Sequence, residues 1–377
     1  MPNETFGFAT IRDVARLAGV SIATVSAVIN SKDRVSAQMQ RKVEEAMKAL
    51  DYHPDHMARS LKTGRSKVVG MIIPDLANPF FVELMCGVEE TARNAGYSVI
   101  FSNSNENPAQ ERENLAMLYS QRVGGVVLAC SDGHAAYDRM TTRRFPIVFV
   151  DRLPVVGFSG RAVVVDNAGA AYEATKHLLS LGHLDIAIIA PRTDLSNGVE
   201  RIEGFRKAMQ EAHLPIREQY FQSGDYSLES GYRCGMELLR MPAPPTAIFS
   251  CNNKMTLGLM QAFSEAGVAC PEQVSILSFD DFPWTSHFQP KLTAVAQPSH
   301  EMGRRAMRML LGAIDPECAR DNEANESVVV LKAELRVRES TAPPRNHVPS
   351  RARTPSPGAI PSVTFPSLTT KTPFTNT

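Results

Sequence analysis

Residues 10–31 read TIRDVARLAGVSIATVSAVINS, and their apolar spacing predicts two short helices joined by a tight turn. Gly19 suits the turn because glycine adopts a positive φ at little cost, and Ser21 is a good N-cap for the second helix. A third helix, capped at Ser36, follows. This pattern favours a helix-turn-helix whose second helix enters a DNA major groove, although other helical hairpins share part of it. The apolar residues expected to form its core are Ile11, Val14, Ala15, Ala18, Val25, Val28 and Ile29.

Beyond this small all-α head, β-branched runs alternate with amphipathic helices through residues 68–339. The runs are apolar throughout, which is typical of parallel strands covered by helices on both faces. The series restarts near residue 162, so we expect an α/β body of two doubly wound lobes with a ligand cleft between them. Whether the helix at 299–314 returns to the first lobe stays open. The predicted strands are 68–73, 98–103, 125–130, 147–151, 162–166, 186–190, 247–251, 274–280 and 292–297.

Charge is unevenly distributed, although 40 basic and 40 acidic residues cancel over the 377-residue chain. Residues 1–67 hold 11 Lys or Arg and 7 Asp or Glu, whereas residues 68–339 hold 25 and 33. A basic head on an acidic body is the layout of a nucleic-acid-binding module attached to a domain that binds no polyanion. Residues 340–377 contain 21 Pro, Ser or Thr and no acid, so we expect them to form a disordered tail.

The absence of several motifs disfavours other classes of protein. No apolar run approaches the roughly 18 residues of a membrane helix, and the first ten residues do not resemble a secretory signal. The six cysteines are scattered, which fits free thiols in the cytoplasm rather than disulfides or a metal site. No hydrolase, ATPase or dinucleotide-binding motif occurs, and the adjacent Asp280 and Asp281 would point in opposite directions from a strand end. We therefore expect neither an enzyme nor a bound cofactor.

Head and body together resemble the LacI/GalR family of bacterial transcription regulators. The likeness runs through residues 10–66 and continues in the body with IPDLANPFF (73–81), RIEGF (201–205) and FDD (279–281). It implies a periplasmic-binding-protein-like body, a homodimer or higher oligomer, and a pseudopalindromic double-stranded DNA operator. It also implies a repressor controlled by a small polar effector such as a sugar or sugar acid. The expected domains are the head (9–54), a hinge helix and linker (55–66), an effector-binding and dimerisation domain (67–339) and the tail (340–377).

The resemblance further implies which residues contact DNA. In this family the second helix reads bases, and the segment at 55–62 folds as a hinge helix in the minor groove. Leu61 there resembles an intercalating wedge, although a core position is the alternative. Ala23 and Ala27 can contact a thymine methyl but form no bidentate hydrogen bond, so the operator preference of other members is not carried over. The expected DNA-contacting residues are Ser21, Ile22, Ala23, Thr24, Ser26, Ala27, Asn30, Arg34, Ser36, Ala58, Leu61 and Lys62.

A polar ligand site is expected between the lobes. An arginine fork with carboxylate and amide groups hydrogen-bonds sugar hydroxyls or an acid group, and Tyr226 resembles an aromatic residue that stacks on a ligand face. Asn253 stands where relatives usually have Asp, which favours an anionic effector. A periplasmic solute-binding protein would share this body without the head, and a sugar-modifying enzyme would need a nucleophile or a cofactor loop. The expected effector-binding residues are Phe80, Asn197, Arg201, Tyr226, Asn252 and Asp280.

Overall fold

The structure, a computed structural model, describes residues 9–29, 35–52, 66–135, 137, 145–155, 158, 160–315 and 327–345. Three helices form the head: α1 (Ile11–Ala18), α2 (Ile22–Ile29) and α3 (Ala37–Ala49). Each helix contributes one fully buried valine to the centre of the head, namely Val14, Val25 and Val43. The predicted apolar face therefore becomes a small core that fixes α2 against its two neighbours.

The turn between α1 and α2 has the conformation that its sequence predicts. Gly19 adopts φ 64° and ψ 35°, the left-handed region that favours glycine. The hydroxyl oxygen of Ser21 accepts a hydrogen bond from the backbone N–H of Thr24 at 3.1 Å, and Ser36 caps α3 by accepting from Met39 at 3.4 Å. The helix-turn-helix geometry predicted from these caps is confirmed.

The body consists of two lobes, each built on a six-stranded sheet. The first lobe contains β1 (Val68–Ile73), α4 (Pro79–Asn94), β2 (Ser98–Asn103), α5 (Pro108–Ser120), β3 (Val126–Leu128), β4 (Ile147–Val150), β5 (Arg161–Val165), α10 (Ser299–Ile314) and β11 (Val328–Leu331). The second contains α6 (Asn167–Ser180), β6 (Ile186–Ala190), α7 (Ser196–Glu211), β7 (Phe221–Ser223), α8 (Leu228–Leu239), β8 (Ala247–Ser250), α9 (Asn253–Ala266), β9 (Ser275–Phe279), β10 (Thr293–Ala296) and β12 (Glu334–Arg336).

Both sheets are parallel apart from one edge strand, as the continuous apolar runs predict. The strand order is β11-β5-β4-β3-β1-β2 in the first sheet and β12-β10-β9-β8-β6-β7 in the second, where β12 is antiparallel to β10. The chain crosses between the lobes after β5, after β10 and after β11. The carboxyl ends of the parallel strands are where ligands bind in such sheets.

The predicted restart of the second lobe near residue 162 is wrong, because β5 pairs with β4 and β11 in the first sheet. The second sheet begins only with β6. The open question of α10 is settled: it packs in the core of the first lobe and crosses α4 closely. A Cβ on Gly87 would lie 2.1 Å from the carbonyl oxygen of His300, so this crossing requires glycine.

The packed body extends beyond residue 339, its predicted end. Ser340 is fully buried, and its hydroxyl donates to the carbonyl oxygen of Ile276 at 2.7 Å and accepts from the backbone N–H of Thr293 at 2.8 Å. The composition of the tail hid this segment, because a short polar turn whose side chains bond to backbone groups has the same residue types as a linker. Residues 346–377 lie outside the described part of the chain.

His183 ties this C-terminal segment to the second lobe and gives a pH prediction. Its Nε2 donates to the carbonyl oxygen of Ala342 at 2.8 Å, and its Nδ1 faces the hydroxyl of Thr246 at 2.9 Å. Burial lowers the pKa of His183, so the unfolded chain binds more protons than the folded one below about pH 6.5. The free energy of unfolding is therefore expected to fall as the pH drops below that value. In urea unfolding at pH 7.5 and 5.5, this fall should be smaller in His183→Gln.

Exposed His134 supplies the matched control for that measurement. His134→Gln should keep the full acid sensitivity of the natural protein, and equal acid sensitivity in all three proteins would contradict the assignment to His183.

Membrane helices, metal sites and disulfides were disfavoured by the sequence, and the structure describes the corresponding features. Among the residues that the structure describes, no helix is long and apolar enough to cross a membrane. The same residues contain no group of three or more metal-ligating side chains. The five cysteines in this part of the chain are unpaired thiols.

Candidate functional site

A cavity of about 300 Å³ lies between the two lobes, at the carboxyl ends of strands from both sheets. Asp75 follows β1, Arg152 follows β4, Asn252 follows β8 and Asp280 follows β9. The complete lining is Asp75, Asn78, Phe80, Phe81, Asn105, Glu106, Asp151, Arg152, Asn197, Arg201, Asp225, Tyr226, Ser227, Asn252, Lys254, Asp280 and Gln297. All six expected effector-binding residues meet in this one cavity.

Backbone strain is concentrated around the cavity. Among the described residues, eight that are not glycine have positive φ, and five of these line the cavity. The five are Asn105 (53°), Glu106 (54°), Asp151 (70°), Tyr226 (69°) and Asp280 (75°). Such conformations cost energy and persist where the surrounding structure enforces them, which is common at ligand sites. This clustering marks the cavity as the candidate functional site independently of its residue types.

Arg201 is fixed in place by the second lobe. Its Nε donates to the side-chain oxygen of Asn167 at 3.0 Å, and one Nη donates to the carbonyl oxygen of Cys251 at 2.8 Å. The guanidinium stacks 3.6 Å from the centre of the Phe279 ring, and the residue is only 2% exposed. Two of its five N–H donors are thus used for positioning, which leaves others to face the cavity.

Two carboxylates stand beside this arginine. Burial raises the pKa of Asp280 above its ordinary value, and the Arg201 guanidinium opposes that rise. Burial likewise raises the pKa of Asp151, opposed by Arg152 and Arg201. Gln297 donates from Nε2 to Asp280, while its buried Oε1 has no hydrogen-bond partner among the described residues. An orphaned buried acceptor is costly, so this oxygen suits a ligand hydroxyl.

Three aromatic side chains line the cavity. Phe80 and Phe81 meet edge to face with centroids 5.0 Å apart at the start of α4. Tyr226 is 7% exposed, and its hydroxyl donates to the side-chain oxygen of Asn197 at 2.9 Å. Asn252 uses its side-chain oxygen to cap α9, which leaves its amide nitrogen as the group suited to a ligand. Apolar faces with a few convergent polar groups are typical of small-molecule sites.

The two lobes also touch directly at the rim of the cavity. Lys254 of the second lobe lies 2.8 Å from a carboxylate oxygen of Asp75 in the first. Asn253 donates to the side-chain oxygen of Asn78 at 2.8 Å. Asn253 therefore bridges the lobes instead of lining the cavity, so its replacement of the usual Asp does not argue for an anionic ligand.

Sequence reasoning missed much of the cavity lining. Asp151 is the last residue of one predicted strand and Arg152 follows it, and Gln297 is the last residue of another, so position at a strand end was the available signal. Asn105 and Glu106 gave no comparable signal, because they reach the cavity through a turn of positive φ after β2.

In the head, the residues expected to face DNA lie on the outer side of α2. Ile22 is 47% exposed and Ala23 is exposed, whereas Ser26 and Ala27 are half-buried. Ser21, Thr24 and Ser36 take part in helix caps. The remaining expected contacts lie outside the described residues; they are Asn30, Arg34, Ala58, Leu61 and Lys62.

Comparisons with known proteins identify one domain in the head and another in the body. Residues 10–55 match the model of bacterial regulatory proteins of the lacI family, and residues 175–341 match a periplasmic binding protein-like domain. The chain is 36% identical to the HTH-type transcriptional repressor PurR of Photobacterium profundum, over 88% of this chain and 98% of that protein.

Solved structures give the same picture. A LacI family transcriptional regulator from Enterococcus faecium with bound ribose is 32% identical, with a TM-score of 0.64 over 74% of this chain and 100% of that one. The lac repressor dimer bound to operator and the anti-inducer ONPF is 27% identical, with a TM-score of 0.77 over 89% of this chain and 100% of that one.

Proposed function

Because this chain belongs to the lacI family of bacterial regulatory proteins, we propose that a small sugar bound between its lobes controls the affinity of its head for operator DNA. The chain is a DNA-binding transcription regulator controlled by a small-molecule effector, and the expectation of a regulator rather than an enzyme is confirmed by its repressor relatives. The proposal concerns the class of effector and the residues that bind it.

The observation that carries the proposal is the convergence of Arg201, Asn252 and Asp280 on one strained cavity. These three residues offer guanidinium, amide and carboxylate groups, and the buried Oε1 of Gln297 adds an acceptor. Donor and acceptor groups together with aromatic side chains in one cavity suit a ring that carries several hydroxyl groups. A volume of about 300 Å³ is at the lower end for ligand pockets, which favours a monosaccharide. D-Ribose is the first candidate, because the similar Enterococcus regulator holds ribose.

The head is proposed to act as a dimer on a pseudopalindromic operator, as in the lac repressor dimer bound to operator. The exposed face of α2 would read bases in the major groove, and the hinge segment at 55–62 would enter the minor groove. We place the protein in the cytoplasm, because a regulator must reach chromosomal DNA. We retain the domain division of head, hinge, body and tail as part of this proposal, with the end of the body moved past Ala342.

A ligand screen with two independent readouts tests the effector class. The panel contains pentoses, hexoses, sugar acids and purines, and a sugar present at about 100 times its Kd should add about 2.7 kcal/mol to the free energy of unfolding. Trp284, the single tryptophan of the chain, lies in the short 3-10 helix Pro283–His287 after β9 of the second lobe. It stacks on Phe282 and packs against the core of the first lobe. Its fluorescence should therefore report sugar binding.

Operator titrations with each hit complete that test. A sugar that stabilises the protein should also change operator affinity, in either direction. If purines alone stabilise the protein, or if no hit alters operator binding, the sugar proposal is wrong.

A further inference from the structure

Two of the three cationic residues that line the cavity are already paired with a carboxylate of the protein. Lys254 pairs with Asp75 across the lobes at 2.8 Å. Both Nη atoms of Arg152 donate to Glu106, each at 2.9 Å, in a bidentate pair. Bidentate pairs of arginine and carboxylate are among the strongest hydrogen-bonded contacts in proteins.

The Nε edge of Arg152 also has a partner, and two aromatic rings lie close to its guanidinium. Its Nε donates to Asp151 at 3.3 Å, and its guanidinium lies 5.0 Å from the Tyr226 ring centre and 5.6 Å from that of Phe81. The Arg152 side chain is only 3% exposed. A ligand carboxylate therefore cannot form a bidentate pair with the two Nη atoms of Arg152 unless it displaces Glu106.

Glu106 is held in this position by its own backbone. It adopts φ 54° in the turn after β2, and its N–H donates to the carbonyl oxygen of Pro74 at 2.9 Å. Its side chain is 24% exposed at the rim, and Arg192 of the second lobe lies 3.6 Å from it. The carboxylate is thus fixed by the first lobe and contacts the second.

The overall charge of the cavity lining also disfavours an anionic ligand. Five carboxylate residues face three cationic ones: Asp75, Glu106, Asp151, Asp225 and Asp280 against Arg152, Arg201 and Lys254. A ligand anion would add a sixth negative group to a small, partly buried space, where charges are weakly screened.

We propose that Glu106 is a specificity-determining residue, which occupies Arg152 and makes the cavity select a neutral sugar over the corresponding sugar acid. This inference rests on the proposed function, because it assumes that the cavity binds a sugar. It reverses the sequence-based expectation that an anionic effector is favoured. Arg152 keeps a structural role in this proposal, because its contacts with the rings of Tyr226 and Phe81 shape the cavity.

Calorimetry with D-ribose, ribitol and D-ribonate tests the proposal at pH 7.5. Ribitol and ribonate are both open chains that differ by one hydroxymethyl or carboxylate group, so their comparison isolates the charge. The natural protein should bind ribonate at least tenfold more weakly than ribitol. In Glu106→Gln the fork of Arg152 loses its charged partner, so ribonate affinity should rise by about tenfold or more while ribose affinity changes less.

Two further variants keep this test decisive. Glu106→Gln combined with Arg152→Met removes the cation as well, so it should not gain ribonate affinity. Glu113→Gln makes the same change of charge on the exposed face of α5 and should leave the ratio of ribitol to ribonate affinity unchanged. The proposal is overturned if the natural protein binds ribonate as tightly as ribitol, or if Glu106→Gln gains no ribonate affinity. If no sugar of the wider panel binds the natural protein, the proposed function itself fails.

Discussion

Operator affinity is expected to fall by about 10³–10⁵ between roughly 50 and 200 mM salt, as for a dimer that contacts about 6–10 phosphates. The physical reason is the net +4 charge of residues 1–67 beside a net −8 charge of residues 68–339, obtained from 11 basic minus 7 acidic and 25 basic minus 33 acidic residues. Phosphate contacts by the head release counterions, and the acidic body contributes none. Fluorescence anisotropy with a labelled operator at several salt concentrations measures the slope.

Substitutions of single lysines distinguish the contribution of the head to DNA binding from that of the body. Lys42 is exposed on α3 of the head, and Lys42→Met should reduce the salt slope by about 1 for each head that contacts DNA. Lys291 is equally exposed but belongs to the second lobe, where it pairs with Glu339, so Lys291→Met should leave the slope unchanged. An unchanged slope in Lys42→Met would exclude a phosphate contact by Lys42, whereas an affinity independent of salt, or a slope reduced only in Lys291→Met, would contradict the assignment of DNA binding to the head.

The parts of the fold that the sequence predicted are those decided by local physics. Gly19 and Ser36 act through their own turn or helix cap, and apolar runs such as 186–190 form buried strands in any packing. The position of β5 depends on which distant strands it joins, and local pattern carries no such information. β11 escaped prediction although Val328–Leu331 is a short apolar run. It adds only an edge to the first sheet, where Val328 and Val330 are exposed and Val329 between them is buried.

The residues of the candidate site also differ in whether local sequence or tertiary packing determines their role. Arg201 and Asp280 follow recognisable motifs, so resemblance located them. Glu106 owes its role to a backbone turn that points its carboxylate at Arg152, a residue 46 positions away along the chain. Pairing at such a distance follows from the tertiary fold, and specificity determinants of this kind emerge only when the cavity is seen as a whole.

Arg201→Met is expected to lower effector affinity by about 10²–10⁴. Two ligand hydrogen bonds to a charged group contribute about 1.5–3 kcal/mol each, and their combined loss converts to that range of dissociation constants. Methionine keeps much of the apolar stem beside Phe279, so lost packing contributes little. Isothermal titration with the sugar identified by the screen measures the change, and operator binding at ordinary sugar concentrations should no longer respond.

A second arginine-to-methionine substitution on α7 distinguishes loss of ligand binding from loss of helix stability. Arg206 lies on that helix but is exposed, so Arg206→Met should bind the sugar with natural affinity. Removing Arg201 also leaves the buried carboxylates of Asp280 and Asp151 without their shared cation, a change that destabilises folded proteins. Asp280→Asn keeps the shape of the side chain and removes that charge, so it should also lose affinity while retaining a folded dimer on a sizing column. Natural affinity in both Arg201→Met and Asp280→Asn would place the effector outside this cavity, because no sugar seated there could avoid both groups.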